Sequence, residues 1–266
     1  MDKEEKGFSC SIVTYAQSEA ALKSRKYEVL TKCISVISSH PRLTSLLIID
    51  NSPRPFFDNC FNLCAENVSY IHLQGKNLGF GSAHNLSRYC CAAAPYHLFL
   101  NPDIIFFSGD DPIAPLLDVL SADSSIVLIQ PQIVHPDGVT IQYLCKKNPS
   151  FFAQLLRGFC PSFVAQLFSG YMRRFEMRGC AYQDYPVCST YLSGSFMLCR
   201  KSALDKVGWF DPRFFMYLED ADLTRSLSLV GKCLHYPLLR VGHVWEKGSH
   251  KEFMLRLQAI RSFILY

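Results

Sequence analysis

The chain has 266 residues, 49% of them hydrophobic, and a formal net charge of +4. That length and apolar content suffice for one large globular domain with a substantial core, while the charge is too small to argue for a nucleic-acid partner. The 12 cysteines show no CxxC spacing, residues 1–7 are charged with no apolar core, and no apolar run reaches the roughly 18 residues that span a bilayer, so reduced thiols in a cytosolic protein are expected.

Taken in order, Phe8 to Tyr15 is predicted as a buried first strand, Glu19 to Ser38 as a helix and Leu46 to Asp50 as a second strand. Val68 to Leu73 reads as a third strand, Gly81 to Ala94 as a helix and His97 to Leu100 as a fourth strand. Strands alternating with helices imply a mostly parallel sheet, with ligands beyond the carboxyl ends of its strands. Polar residues coincide with those ends: Thr14-Tyr15, Asp50-Asn51-Ser52 and Asn101-Pro102-Asp103. Asp50 to Pro53 reads either as an ordinary turn or as placing Asp50 to accept from a nucleotide base or ribose. Asn77-Leu78-Gly79-Phe80-Gly81-Ser82-Ala83-His84-Asn85 puts two glycines before a helix, where backbone approaches a ligand closely and free N–H groups attract an anion. It is neither a Walker loop nor the dinucleotide fingerprint, and a plain helix start with Asn85 in solvent also fits.

Asn101-Pro102-Asp103 has the form of a type I turn. Asp111 before Pro112 reads as a helix cap, Ile126 to Gln130 as a strand and His135 as a loop residue. From Lys146 to Arg178 the composition shifts: Lys146, Lys147, Arg157, Arg173, Arg174 and Arg178 interleave with Phe151, Phe152, Phe159, Phe163, Phe168, Tyr171 and Phe175, against the single acid Glu176. Such a segment suits either an anionic membrane surface or a helical insertion with a solvated basic face. Gly194 to Gly231 opens on a small-residue turn and an apolar strand and reaches Glu219, Asp220 and Asp222 in the first turn of a helix marked by Leu223, Leu227 and Val230, with Gly231 as a left-handed cap. Acids at a helix start satisfy the dipole. The aromatic run from Trp209 to Leu218 before them points instead to a cleft wall. Asp222 is spaced to pair with Arg225. Gly231 to His235 and Leu238 to Val244 read as short strands with His243 at the end, and Lys251, Arg256 and Arg261 with Phe253, Leu257, Ile260 and Ile264 form a basic amphipathic helix.

The succession Gly194-Ser195-Phe196-Met197-Leu198, then Gly208-Trp209-Phe210-Asp211-Pro212-Arg213-Phe214-Phe215-Met216-Tyr217-Leu218-Glu219-Asp220-Ala221-Asp222-Leu223, then Arg225 and Gly231, resembles the acceptor-side half of family 2 inverting glycosyltransferases. It is most similar to their bacterial rhamnosyltransferase-like branch, which builds cell-surface polysaccharide such as O-antigen, lipopolysaccharide or capsule. The resemblance implies an α/β fold of GT-A type, a Rossmann-like mostly parallel sheet flanked by helices with a small acceptor-side helical extension. It implies one glycosyltransferase domain over 1–266: a nucleotide-sugar-binding half at 8–130, an acceptor and catalytic half at 131–250 and the basic terminal helix at 251–266.

By the same resemblance, Thr14, Tyr15, Asp50, Asn77, Gly79, Phe80, Asn85, Asn101, Asp103, Gly194, Ser195 and Arg225 border the nucleotide sugar. Asn101 stands where many such enzymes have an aspartate, so one charge fewer holds a weakly bound Mg²⁺ or Mn²⁺ on Asp103 and His243. Asp220 is the implied general base and Glu219 its fallback. Trp245 to His250 matches a loop over the diphosphate, with Lys247, Ser249, His250 and Lys251 as candidate phosphate contacts. The implied donor is dTDP-rhamnose, with UDP-galactofuranose as an alternative. The implied acceptor is a polyprenyl-diphosphate-linked glycan, met by a cytoplasmic enzyme peripheral at the inner face of the bacterial cytoplasmic membrane, in contact with anionic lipid and without nucleic acid; a homodimer is left open. Two rivals are a nucleotidyltransferase, which would need a glycine-rich basic loop where Thr14 to Ser18 offers none, and a non-catalytic sugar- or nucleotide-binding partner.

Overall fold

A computed structural model describes residues 7–17, 25–55, 57, 66–158, 160, 166–244 and 253–266. Strand β1 (Phe8–Thr14) is buried along its whole length, because it lies between two parallel neighbours, β2 (Leu43–Asp50) and β4 (Tyr96–Leu100), and is covered on both faces. Beyond β2 the sheet ends in β3 (Val68–His72). On the other side β10 (Phe196–Arg200) enters antiparallel between β4 and β6 (Ile126–Val134), followed by β11 (Lys232–His243) and the short β5 (Ile104–Ile105). Among the described residues β8 (Val187–Cys188) pairs with β11, and β7 (Cys145–Lys146) with β9 (Tyr191–Leu192) apart from the main sheet.

Helices cover both faces, the three-layer solution for a sheet with two apolar sides. On one, α1 (Arg25–Ser38) and α4 (Ile113–Ala122) set Leu30, Ile37, Leu116 and Leu120 against Ile12, Ile48, Leu100 and Ile129. On the other, Phe80 of the one-turn α2 (Phe80–His84), α7 (Lys201–Val207) and α8 (Glu219–Ser228) enclose Phe99, Leu128, Met197, Leu204, Phe210 and Leu223. A third cluster joins Ala153 of α5 (Phe151–Gly158) and Phe175 of α6 (Ser169–Phe175) to Phe214, Leu218 and Ala221, with Phe263 of α9 (Phe253–Leu265) against it.

The antiparallel entry of β10 positions the candidate site. Because Phe196 faces Leu100, the turn before β10 lies at the carboxyl end of β4, and Asn101 donates its N–H to Ser195 O at 2.9 Å. The parallel β11 delivers its last residue, His243, beside Ile104 at the same edge.

Several expectations are corrected. The helix predicted over Gly81 to Ala94 breaks into α2 and α3 (Ser87–Cys90), because Asn85 is drawn onto Phe210 at both ends of its amide and the Ser87 hydroxyl donates to His84 O. The two short strands from Gly231 to Val244 are one strand: β11 keeps pairing with β6 through a register shift between Tyr236 and Arg240, where Pro237 has no N–H to donate. Gly231 is not among the left-handed glycines; it is small because a Cβ there would lie 2.3 Å from Val127 Cγ1. Lys146, expected in the basic surface segment, is 3% exposed, turned inward with its ammonium 4.8 Å from the Tyr191 ring. Asp111 accepts from Ile113 N–H at 2.9 Å and Ala114 N–H at 3.1 Å, the capping role expected of it.

Candidate active site

The carboxyl edge of β4 carries two groups brought from far apart in the chain. Asp103 Oδ1 lies 3.2 Å from His243 Nε2, and Asn101 Nδ2 lies 3.4 Å from the same nitrogen. On its other side His243 meets Gln142, whose Oε1 is 2.9 Å from Nδ1 and whose Nε2 donates to His243 O at 2.8 Å. Asp103 Oδ1 is buried and has no hydrogen-bond partner among the described residues. A buried carboxylate oxygen facing an imidazole nitrogen calls for a cation, and an oxygen donor with a histidine nitrogen is a donor set that a divalent ion accepts. Among the described residues no group of three or more His, Cys, Asp or Glu forms around a point, so the chain supplies two ligands here and an ion would need substrate oxygens or water besides.

The second pole is α8. Its first turn is reached through Tyr217 and Leu218, both in the left-handed region at φ 71° and 67°, a strained pair that sets the direction in which the acids leave the loop. Asp220 Oδ2 accepts the Gly194 N–H at 2.9 Å and Oδ1 accepts its neighbour's Ala221 N–H at 2.8 Å. Glu219 is buried, and its Oε2 has no partner among the described residues. Burial, then the charge of Asp220, pushes the Glu219 carboxyl up to about 8. Burial also raises Asp220, but the Gly194 N–H and then the Lys146 charge oppose the rise. At neutral pH the Glu219 carboxyl is therefore held protonated, while the Gly194 N–H and the Lys146 charge favour the ionised form of Asp220.

The two poles are tied by one short path. Gly194 holds Asp220, Ser195 holds the backbone of Asn101, and Asn101 adjoins His243 and Asp103. Gly194 is closely packed: a Cβ would sit 3.1 Å from the Phe80 ring and 3.4 Å from Asp220 Cβ, so a side chain there requires the ring to give way by a few tenths of an ångström. Gln130, buried in β6, braces this turn by donating to Ser193 O at 2.6 Å and Phe196 O at 2.7 Å, and the Ser195 hydroxyl is buried without a hydrogen-bond partner among the described residues. Asp103, His243 and Asp220 thus surround one edge of the sheet.

The remaining predicted residues lie along the ends of β1 and β2 and the loop before α2. Thr14 is buried and accepts Asn51 N–H at 3.0 Å, whereas Tyr15 is 51% exposed. Asp50 is wholly buried, accepting Ser52 N–H at 2.9 Å and the Tyr70 hydroxyl at 2.5 Å, so it fixes the end of β2 from within. Asn77 accepts Gly79 N–H at 2.9 Å. Gly79, at φ 80°, approaches protein: a Cβ there would lie 1.9 Å from Phe215 O, the acceptor of Phe80 N–H. The glycines thus let this loop lie flat on the Phe210 to Phe215 segment. Arg225 is paired with Asp222 at 2.9 Å, as its spacing foretold, and lies 4.4 Å from the Tyr266 ring. Trp245 to Lys251, with Lys247, Ser249 and His250, lies outside the described residues.

Sequence reasoning passed over three amides. Asn51 grips the glycine loop by donating to Gly79 O at 2.9 Å and accepting Leu78 N–H at 3.2 Å, and Gln130 and Gln142 brace the two poles. Only Asn51, at a strand end, carried a positional signal.

No family model matches the chain. Over 188 residues it is 32% identical to the rhamnosyltransferase WbbL of Escherichia coli, covering 65% of this chain and 63% of that protein. Over 204 residues it is 31% identical to the N-acetylglucosaminyl-diphospho-decaprenol L-rhamnosyltransferase of Mycobacterium tuberculosis, covering 71% and 62% respectively. The chain thus spans less than two thirds of the length of the curated relatives it matches. Solved structures share its fold at low identity. GalNAc-T7 with UDP, GalNAc and Mn²⁺ superposes with a TM-score of 0.62 at 16% identity over 91% of this chain and 44% of that one. The Pyrobaculum calidifontis mannosyltransferase with GDP-Man and Mn²⁺ gives 0.56 at 14% identity over 97% and 63%, and Staphylococcus aureus TarS with UDP-GlcNAc gives 0.55 at 14% over 96% and 66%.

Proposed function

Because the chain belongs to the rhamnosyltransferase-like branch of the family 2 glycosyltransferases, with a GT-A-type fold, we propose that it transfers a sugar from a nucleoside diphosphate to a lipid-diphosphate-linked glycan, with inversion at the anomeric carbon. The donor is dTDP-rhamnose. The single observation that carries the reading is the joining of Asp220 to Asp103 and His243 through the Gly194 to Ser195 turn and Asn101, because displacement at a sugar needs a base and a charge-neutralising centre on one cleft.

Asp220 takes the proton from the acceptor hydroxyl as that oxygen attacks. Its raised affinity for protons suits this, and the Gly194 N–H orients the carboxylate. Glu219, protonated beside it, keeps a second negative charge from the attacking oxygen. Asp103 and His243 would hold a divalent cation, Mg²⁺ or Mn²⁺, which when bound supplies charge to the departing diphosphate. Thr14, Tyr15 and the Asn77 to Asn85 loop form the nucleoside side over residues 8–130, with Asp50 and Asn51 holding its walls in place. Residues 131–250 supply the acceptor side.

No helix of the described residues is long and apolar enough to cross a membrane, and the exposed apolar and basic side chains of α5, α6 and α9 offer a surface for contact with a lipid-linked acceptor. We assign that contact to α5, α6 and α9 at the inner face of the cytoplasmic membrane. A thermal-shift screen of dTDP-rhamnose, UDP-galactofuranose and other nucleotide sugars, with and without Mn²⁺ or Mg²⁺, tests the reading through ligand linkage. Stabilisation by dTDP-rhamnose that deepens with metal is expected. Selective stabilisation by another donor replaces the sugar, and binding without nucleotide release in the presence of lipid-linked acceptor removes the enzymatic role.

A further inference from the structure

The cation site just proposed depends on one fact about His243, which of its two nitrogens carries the proton, and the surrounding amide settles it. Gln142 is 2% exposed and locked into the sheet, its N–H bonded to Ile133 O at 3.0 Å. Its side-chain nitrogen faces two backbone carbonyls, His243 O at 2.8 Å and Val134 O at 3.3 Å. A flipped amide would set three oxygens against one another, so the side-chain oxygen must be the atom 2.9 Å from His243 Nδ1. Nδ1 is then the donor, and the lone pair of neutral imidazole is on Nε2, the atom 3.2 Å from Asp103 Oδ1, which has no hydrogen-bond partner among the described residues.

We infer that Gln142 is a positioning residue for the cation site: it holds His243 in the Nδ1–H form, with the Nε2 lone pair on Asp103. The inference rests on the reading of Asp103 and His243 as cation ligands. Its physical basis is general, since a ligating histidine donates its other ring N–H to an oxygen that fixes tautomer and ring orientation. The same amide also ties the end of β11 to β6, so ring and backbone of His243 are held by one side chain.

The test uses the whole chain and does not need turnover. Nitrogen-15 spectra of histidine-labelled protein at about pH 8, above the ordinary imidazole range, distinguish the two tautomers, with a His243→Gln variant assigning the resonance. Wild type should show His243 protonated on Nδ1 and Gln142→Leu a mixed or reversed tautomer. Gln142→Glu should also hold the Nδ1 form, because a carboxyl oxygen in the place of the amide oxygen accepts from Nδ1 whether or not the group is ionised. Titration with MnCl₂ in the presence of dTDP, followed by electron paramagnetic resonance, should show affinity lowered about 10- to 100-fold in Gln142→Leu and recovered in Gln142→Glu. An Nε2–H tautomer in wild type, or an unchanged tautomer and Mn²⁺ affinity in Gln142→Leu, overturns the inference. Wild type with the Nδ1–H tautomer but no Mn²⁺ binding overturns the cation site itself, a separate result. Should Gln142→Leu fail to fold, the wild-type tautomer and the Gln142→Glu titration still decide.

Discussion

At the scale of single residues the proposed chemistry turns on Asp220 and on what surrounds it. Asp220→Asn should lower turnover at least about a hundredfold while the affinity for nucleotide sugar holds, because a positioned base is lost and no donor contact with it. Near-wild-type turnover would give the role to Glu219, whose own substitution by Gln should matter less since that carboxyl is already protonated at neutral pH. The pH profile follows from the sign of the shift. The base works ionised and burial raises its pKa, so the acid limb of kcat should lie above the ordinary aspartate range. The Lys146 charge opposes that rise, so Lys146→Met should move the limb to higher pH; a limb that stays put separates the two groups. The acids and Gly194 were legible because they sit in one contiguous motif. Lys146 and the bracing amides were not: a strand residue's composition does not say which way it faces, and Gln130 and Gln142 lie in segments with no local pattern to distinguish them.

Among the elements, β1, β4 and α2 meet on a polar seam that alternation alone did not reveal. Ser9, Ser11, His84, Ser87 and His97 are all fully buried and bonded to one another, with Ser9 Oγ 2.7 Å from His97 Nδ1 and Ser11 Oγ 2.7 Å from His84 Nδ1. Burial lowers His84 to about 3 and holds His97 well below the usual imidazole range, with His235 on β11 lowered to about 4. These groups are neutral in the fold and titrate near 6.5 when unfolded, so below that pH the unfolded chain takes up more protons and stability falls with falling pH. Glu219 works the other way between about 8 and its unfolded value near 4.3, and the raised Asp220 and Asp222 add to it at the acid end, against four lowered imidazoles, His40 included. The melting temperature should therefore decline from pH 7 to pH 5, and His84→Gln should flatten the decline; a flat or rising wild-type curve would remove the seam as its cause. The helix over Gly81 to Ala94 was misread for a related reason. The tertiary pull of Phe210 on Asn85 overrides the local helical pattern.

For the whole molecule, the alternation of strands and helices in the first half was readable as a nucleotide-type sheet, whereas the antiparallel β10 was not, since direction depends on long-range pairing. That strand joins the second half of the chain to the sheet of the first, and the third cluster sets α5, α6 and α9 against Leu218 and Ala221 at the start of the acidic helix. The outer surface of this cluster is unusual for a water-exposed one. Phe151 is 67% exposed, Leu167 79% and Ile264 78%, with Phe152, Phe168, Tyr171, Leu257 and Ile260 also exposed. Phe152 contacts Phe168 and Tyr171, and Phe151 lies 5.8 Å from Phe263, so the three helices adjoin, and Arg173, Arg174 and Arg261 stand exposed among them. Apolar side chains ringed by arginine match an anionic lipid interface, each cation contributing about 1 kcal/mol at the surface. Replacing both Arg173 and Arg174 by Gln should thus lower sedimentation with phosphatidylserine vesicles by about 2 kcal/mol, roughly thirtyfold in partitioning, while leaving the weaker association with phosphatidylcholine unchanged. The donor-induced thermal shift should stay as in wild type, because neither arginine is among the residues proposed to hold the donor. Equal binding to charged and neutral vesicles would leave the exposed apolar side chains without this explanation and return the recruitment of acceptor to the cleft itself.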